Sequence, residues 1–280
     1  MIDQGAVLAW GTSTIRDLPW RRARDPWCIL VAEVMLQQTQ ADRVIPKWHA
    51  FLAVFPTPTA CASAALGDVL RLWHGLGYPR RAKHLHDAAV AMVEQHDGAV
   101  PDDLAALLAL PGVGPYTARA VLAFAFERDV GVVDTNIARV LARAGGNRLT
   151  PRAAQRAADD LVPVGQGWFW NQVLMDVGAT LCRPTPRCEG CPIAVGCVWH
   201  RGGHLAPDPA VGSAGVSARQ APYEGSDRQA RGRVLAALQA GERRVGDFDE
   251  RIVAGLAVDG LVAIDGSTVR LPTTRHPAER

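Results

Sequence analysis

Four cysteines within sixteen residues, Cys182-x5-Cys188-x2-Cys191-x5-Cys197, set the tightest limit on what this chain can be. The segment that carries them is broken by Pro184, Pro186, Gly190 and Pro192, so it is a loop rather than a helix or strand. Four free thiols held that close would be an oxidation liability. In a reducing compartment such a cluster is more often a metal site than a disulfide framework. On spacing alone a tetrahedral zinc and a [4Fe–4S] cluster fit about equally well. The remaining cysteines, Cys28 and Cys61, stand far away in sequence.

Composition narrows the class. With 280 residues, 48% hydrophobic and 21% charged, the chain is long enough for two domains and a short tail, each with a core to bury. Its longest apolar runs, such as 120–126, are about seven residues, whereas a membrane span needs roughly eighteen. The first residues, MIDQGAVLAWGTSTIRDLPWRR, lack a basic segment followed by an apolar one, so a cytoplasmic, nucleoid-associated location is expected. The net charge of +2 says nothing about nucleic acid. Among the 30 basic residues only Lys47 and Lys83 are lysines, so a catalytic lysine would have two candidates. Heavy arginine use suits phosphate contacts, but a GC-rich genome gives the same bias and is the simpler explanation.

The pattern is mostly α. Asp25-Pro26 opens a helix expected to run to Val44, as an N-cap followed by proline at the first helical position. Further helices are expected over 66–73, 80–95, 102–110 and 115–127, separated by Pro56-Thr57-Pro58, Gly75-Leu76-Gly77, Asp97-Gly98 and Pro111-Gly112-Val113-Gly114. Two more lie between Pro151 and the cysteines. Residues 201–226, rich in Gly, Pro, Ala and Ser, read as a linker. Helices over 227–239 and 248–259 and a hairpin around Asp265-Gly266-Ser267 then suggest a small winged-helix-like tail.

Three further motifs offer chemistry, each with a plainer explanation. Gly112, Val113 and Gly114 leave backbone N–H groups unobstructed before a helix start, which suits a DNA phosphate; an ordinary helix–turn–helix connection explains them as well. On a continuous helix Glu33, Gln37 and Gln40 would share one face opposite the apolar stripe. A solvated face is the commoner meaning of such a pattern, although glutamine also reads base edges. Asp134 precedes a helical run over 137–144, where capping is its commonest task.

Taken in order, Leu-Pro-Trp-Arg (18–21), Glu-Val-Met-Leu-Gln-Gln-Thr (33–39), Gly-Leu-Gly-Tyr (75–78), Leu-Pro-Gly-Val-Gly-Pro-Tyr-Thr-Ala (110–118), Val-Asp-Thr-Asn (133–136), Asn-Gln-Val-Leu-Met-Asp-Val-Gly-Ala (171–179) and the four cysteines closely resemble the MutY-type adenine DNA glycosylases, in the helix–hairpin–helix superfamily that includes endonuclease III. The resemblance spans about residues 7–200, and the tail looks like that of actinobacterial members.

The resemblance implies a two-domain helix–hairpin–helix glycosylase fold. Residues 1–19 and 126–200 would form the cluster-containing helical domain, and 20–125 a helical barrel domain carrying the hairpin 110–114. A linker (201–226) and the winged-helix-like tail (227–272) would follow. It implies a monomer without membrane attachment that acts on double-stranded DNA, excising adenine opposite 8-oxoguanine or guanine after flipping it into a pocket between the domains. Glu33 would protonate the leaving base and Asp134 would stabilise the sugar cation or bond to it, supported by Tyr116 and Asn136. Glu33 would hold a proton and Asp134 would stay ionised. Arg16, Leu18, Trp20, Arg21 and Gln172 would line the adenine pocket. Gln38, Thr39, Leu76 and Tyr78 would occupy the gap and contact the opposite base, with Tyr78 wedged between bases. Gly112, Val113 and Gly114 would hold the DNA backbone. Cys182, Cys188, Cys191 and Cys197 would bind [4Fe–4S].

The chain departs from the family pattern in three places: five residues rather than six after the first cysteine, Tyr78-Pro79 in the wedge loop, and Thr135 where glycine is common. The 83 residues after Cys197 are expected to be too few for the Nudix-like domain of many members. The alternative activity is that of an endonuclease III-like or mismatch thymine/pyrimidine glycosylase. The endonuclease III lyase reaction uses a lysine just after the hairpin, where this chain has Tyr116. A non-enzymatic iron–sulfur DNA-binding protein is disfavoured by intact Glu33 and Asp134.

Overall fold

A computed structural model of the chain describes residues 2–216 and 222–273. Within these, 2–24 with 115–216 form one compact unit, and 25–114 with 222–273 form a second. In chain order the helices are α1 (Gln4–Thr14), α2 (Pro19–Arg22), α3 (Pro26–Leu36), α4 (Ala41–Val54), α5 (Pro58–Ala62), α6 (Leu66–Trp73), α7 (Arg80–Gln95), α8 (Leu104–Ala109), α9 (Pro115–Phe124), α10 (Thr135–Gly145), α11 (Pro151–Asp160), α12 (Gly167–Asp176), α13 (Val198–Arg201), α14 (Asp227–Ala237) and α15 (Glu250–Val258). The strands are β1 (Arg243–Arg244), β2 (Ala263–Asp265) and β3 (Thr268–Arg270). No helix among the described residues is long and apolar enough to cross a membrane.

The second unit is built around α3. Asp25 caps it by accepting from the Cys28 N–H at 2.8 Å, and Pro26 fits its first turn. Eight of its residues, from Trp27 to Met35, are buried, as a helix apolar on nearly every side must be. Phe51 of α4, Trp73 of α6 and Leu85 and Met92 of α7 are buried in the same unit, each large side chain contributing roughly 1.5–3 kcal/mol. The expected helix to Val44 is in fact two. The chain breaks over 37–40, where Gln38 takes a left-handed backbone (φ 56°), and restarts as α4. Glu33 and Gln40 therefore share no helix face.

The tail belongs to this unit. Its three-stranded antiparallel sheet has the order β1-β3-β2, with Ile264 opposite Val269, and β1 is a strand that the sequence pattern did not reveal. Val253, Leu256, Leu261 and Val269 form its apolar centre. Two contacts seat it on the helices. The Gly67 N–H donates to the Pro272 carbonyl at 2.9 Å, an approach so close that a Cβ on residue 67 would lie 2.4 Å from that oxygen. The Asp259 carboxylate joins Arg80 of α7 to Arg231 of α14. The tail is thus docked on the helices of this unit.

In the first unit Ile137, Val140 and Leu141 of α10 meet Val173, Leu174 and Val177 at the end of α12. Asp176, with no exposed surface, closes this unit. It accepts from the Arg16 N–H (2.8 Å) and Nε (2.7 Å) and from both terminal nitrogens of Arg21 (2.7 and 2.9 Å). Residues 202–216 are not the free linker that their composition suggests. Asp208 pairs with Arg143 at 2.6 Å, the Ser213 hydroxyl accepts from the Leu149 N–H at 3.0 Å, and the Ala214 N–H donates to the Leu149 carbonyl at 2.9 Å. Small residues read as flexible here because they lie flat on the unit: Ala210 and Ser213 are buried.

The two arginines hold the Asp176 carboxyl below the usual carboxylate range against the upward push of its burial. Its contribution to stability is therefore present above the unfolded value of about 4 and is lost as pH falls through the lowered folded value. Asp176→Asn leaves Arg21 buried without its counter-charge and should cost about 3–5 kcal/mol at neutral pH. Urea unfolding should show this loss shrinking as the pH falls below about 4, where the wild type loses the pair too.

Candidate active-site residues and cysteine centre

The residues singled out from the sequence divide by unit. Glu33, Gln38, Thr39, Leu76, Tyr78, Gly112, Val113 and Gly114 lie in the second; Arg16, Leu18, Trp20, Arg21, Tyr116, Asp134, Asn136, Gln172 and the four clustered cysteines lie in the first.

Glu33 is 4% exposed, in the middle of the most apolar helix of its unit. The solvated face that the polar pattern suggested is excluded. A carboxyl placed there costs several kcal/mol unless it is partnered or protonated, which makes it a functional candidate rather than a structural one.

A residue that the sequence did not flag organises the ground beside Glu33. Arg81, 8% exposed at the start of α7, donates to the carbonyls of Val34 (2.8 Å) and Met35 (2.9 Å) at the end of α3. Its other terminal nitrogen donates to the Thr39 hydroxyl (3.1 Å) and to the carbonyls of Leu76 (3.2 Å) and Gly77 (3.1 Å). One guanidinium thus takes up the orphaned last carbonyls of α3, ending it, and holds the 75–78 loop beside the break. Burial pushes its pKa down to about 10, so it remains a cation at neutral pH. Above it Gln38 is exposed and Tyr78 half-buried, both left-handed (φ 56° and 48°). Leu76 is buried at 3% exposure and contributes to the wall of the cavity beside Tyr78. A cavity of about 1080 Å³ opens beside Gln38 and Tyr78, with Arg43 and the tail's Arg228, Arg231 and Arg233 in its wall.

The hairpin follows α8. Gly112 has φ 74°, and a Cβ there would lie 2.4 Å from that of His84, so glycine is required both by conformation and by space. Val113 is buried, leaving its backbone as the part able to meet a ligand.

In the first unit Asp134 does cap α10, accepting from the Ile137 N–H at 2.7 Å. Its second oxygen accepts from the Asn136 amide at 2.8 Å, and the Asn136 carbonyl oxygen accepts from Arg139 at 2.8 Å. Capping and function are compatible: the cap aims and fixes a half-buried carboxylate. Burial pushes its pKa up, and the Ile137 N–H, the Asn136 amide and the Arg139 cation offset this only in part. Tyr116, half-buried, stands in the first turn of α9. Trp20 and Gln172 are buried, Leu18 is half-buried before α2, and Arg16 is exposed. The Arg21 guanidinium is committed to Asp176, so its role here is to fix the 16–21 segment on α12.

The four clustered cysteines, all half-buried, line one small cavity with Val140 and Ile193. Arg143 braces the loop from behind. It donates to the Arg183 carbonyl (2.6 Å), the Pro184 carbonyl (3.0 Å) and the Cys182 sulfur (3.5 Å), and its own carbonyl accepts from the Cys197 thiol (3.3 Å). Burial raises the thiol pKa of Cys182, Cys188 and Cys191, with Arg143 opposing it at Cys182. His204 lies 3.4 Å from the Cys188 sulfur and 3.1 Å from His200, and the ligand atoms of these three fall within 4.8 Å. Soft sulfur donors converging on one cavity fit an iron–sulfur cluster or zinc. Cys28 and Cys61 belong to the second unit, where burial raises both thiols, that of Cys28 to about 12.

Residues 31–163 match the HhH-GPD superfamily of base excision DNA repair proteins. A thermostable thymine-DNA glycosylase of known structure superposes with a TM-score of 0.68 at 31% identity, covering 71% of this chain and 95% of its own. With the helix–hairpin–helix between α8 and α9, this defines the chain as a DNA glycosylase that hydrolyses an N-glycosidic bond. The adenine DNA glycosylase of Mycobacterium tuberculosis is 46% identical over 244 residues, 84% of this chain and 78% of that one. That of Mycolicibacterium smegmatis is 42% identical over 274 residues, 91% of each. The chain belongs to the adenine DNA glycosylase family.

Arg81→Met keeps the stem but removes the donor from five acceptors, three of them in buried bonds. It should cost roughly 3–5 kcal/mol, since each unmade buried hydrogen bond costs about 1–3 kcal/mol and some will find water. Calorimetry should show a fall in Tm of about 10 °C, and Arg81→Lys should recover little of it, since an ammonium cannot bridge two segments as a planar fork does.

Proposed function

We propose that this chain excises adenine mispaired with 8-oxoguanine or guanine in duplex DNA, as a monofunctional, monomeric enzyme of the cytoplasm. Family membership supports the leaving base, and the observation that carries the chemistry is the burial of Glu33 in an apolar helix. Adenine leaves poorly until its ring nitrogen is protonated, and the sugar left behind develops positive charge. Glu33, buried within α3, is suited to deliver a proton to N7, and Asp134, fixed by Ile137 and Asn136, is suited to face the sugar cation as a carboxylate. Tyr116 occupies the place of the Schiff-base lysine of lyases, so the product is an intact abasic site. The backbone of 112–114 holds a phosphate, and Gln38, Thr39 and Tyr78 meet the opposite base.

Cys182, Cys188, Cys191 and Cys197 would hold [4Fe–4S], which supplies a structural clamp for the loop between α12 and α13. Freshly purified protein should be brown and yield about four iron and four sulfide per chain. A colourless protein with one zinc overturns this assignment and brings His200 and His204 forward as ligands.

Glu33→Gln preserves shape but cannot donate the proton, and should slow excision by roughly 10²–10⁴ while leaving mispair binding intact. Asp134→Asn should cost a comparable or larger factor. Glu94→Gln, exposed on α7, is the control. Single-turnover rates on adenine·8-oxoguanine duplex, beside a panel of adenine·guanine, adenine·cytosine and thymine·guanine, measure these effects. Near wild-type excision by Glu33→Gln would place the acid elsewhere, and preferential thymine release would establish the alternative activity.

A further inference from the structure

The tail reaches the base-reading loop directly. Arg228, in the first turn of α14, donates to the Tyr78 hydroxyl at 3.0 Å and also to the Pro222 carbonyl at 3.3 Å. Tyr78 is a left-handed, non-glycine residue between Gly77 (φ 75°) and Pro79, so its own backbone preference works against the position it holds. From below, Arg81 fixes the carbonyls of Leu76 and Gly77 and lies over the Tyr78 ring at 5.5 Å, while the Trp73 indole N–H donates to the Gly77 carbonyl at 3.1 Å. These contacts fix the root of the side chain. Arg228 grips its tip.

The tail is also anchored beside this point. Asp259, its carboxylate 7% exposed, binds Arg80, two residues after Tyr78, and Arg231, one turn after Arg228. The same helix of the tail therefore carries both the anchor and the grip, and its position sets where the phenol stands. Around the phenol the cavity wall is cationic: Arg43, Arg80, Arg228, Arg231 and Arg233 against Asp259 alone.

We propose that Arg228 is a positioning residue that holds the Tyr78 side chain ready to enter the duplex, so that the tail sets discrimination for mispaired over fully paired DNA. This rests on the reading of Tyr78 as the residue that meets the bases. A phenol held at both ends enters the stack without first losing rotamer freedom, and the saving appears as affinity for the DNA in which a gap can be opened, the mispaired duplex. The hydrolytic step, which needs Glu33 and Asp134, is untouched.

The test measures binding, so it stands apart from excision. In the full chain, Arg228→Met should lower the preference for an adenine·8-oxoguanine duplex over the same duplex fully paired by roughly tenfold, the worth of about 1.4 kcal/mol. The single-turnover excision rate at saturating enzyme should stay within about twofold, which a disrupted fold would not allow. Tyr78→Phe removes the acceptor and should give the same loss, and Arg228→Met made in Tyr78→Phe should add nothing. Arg228→Lys should restore part of the preference, since an ammonium can still donate to the phenol. Unchanged preference in Arg228→Met overturns the proposal. So does an equal loss on both duplexes, which would mark a plain phosphate contact, or losses that multiply in the double variant. If the wild type binds the mispair selectively but releases no adenine, the proposed function fails while the Arg228–Tyr78 coupling is still decided.

Discussion

Two stretches of chain that are far apart in sequence, the end of α3 and the 75–78 loop, present carbonyl groups to one side chain. Arg81 binds both at once. Its Nη1 closes the helix after Glu33 and its Nη2 ties down the loop under Tyr78. Lysine, with a compact ammonium, cannot span two such sets, and a neutral donor would have too few hydrogens. The geometry of the 37–40 and 75–78 segments in the second unit follows from this cation. The break after Leu36 exists because α3's last carbonyls have another partner, and the break exposes Gln38. The same economy recurs in the first unit, where Arg139 ties Asn136 to the Gly178 carbonyl and Arg143 braces the cysteine loop. The arginine-rich composition, read at first as genomic bias, includes a set of buried structural cations.

Much of this could be read from the residues. Helices over 66–73 and 80–95 coincide with α6 and α7, because their apolar spacing and the flanking glycines and prolines agree. Asp134 as a cap was legible, since an N-cap is a local matter of one side chain and the next turn. Glu33 was not legible as buried: its helix has apolar residues on all sides, and the polar positions 33, 37 and 40 imitate a solvated face only if the helix continues. Nothing local announces that it stops. Arg81 and Asp176 were missed because their partners lie far off in sequence, up to 47 positions for Arg81 and 160 for Asp176. Residues 202–216 misled through composition, since small residues suit a free linker and a closely fitted strap equally well.

The cysteine centre shows what a motif does and does not carry. Its spacing gives the number and softness of the donors, and the fold adds their convergence on one cavity with Arg143 behind them. The two histidines near Cys188 were invisible because His200 follows the last cysteine and His204 falls at the start of the segment that reads as a linker. Their presence makes the metal a question for elemental analysis rather than for sequence.

The left-handed backbones of Gln38 and Tyr78 have a consequence for how such a chain can change. A non-glycine residue held there costs of order 1–3 kcal/mol, and glycine would remove most of that cost. Glycine at either position therefore offers an easy gain in thermal stability, reached by one codon change or two. It would also erase the amide or the phenol that faces the cavity. Selection for robustness alone would drift towards glycine at both sites, so the strained pair persists only while the side chains it presents at the cavity are worth more than the stability forgone.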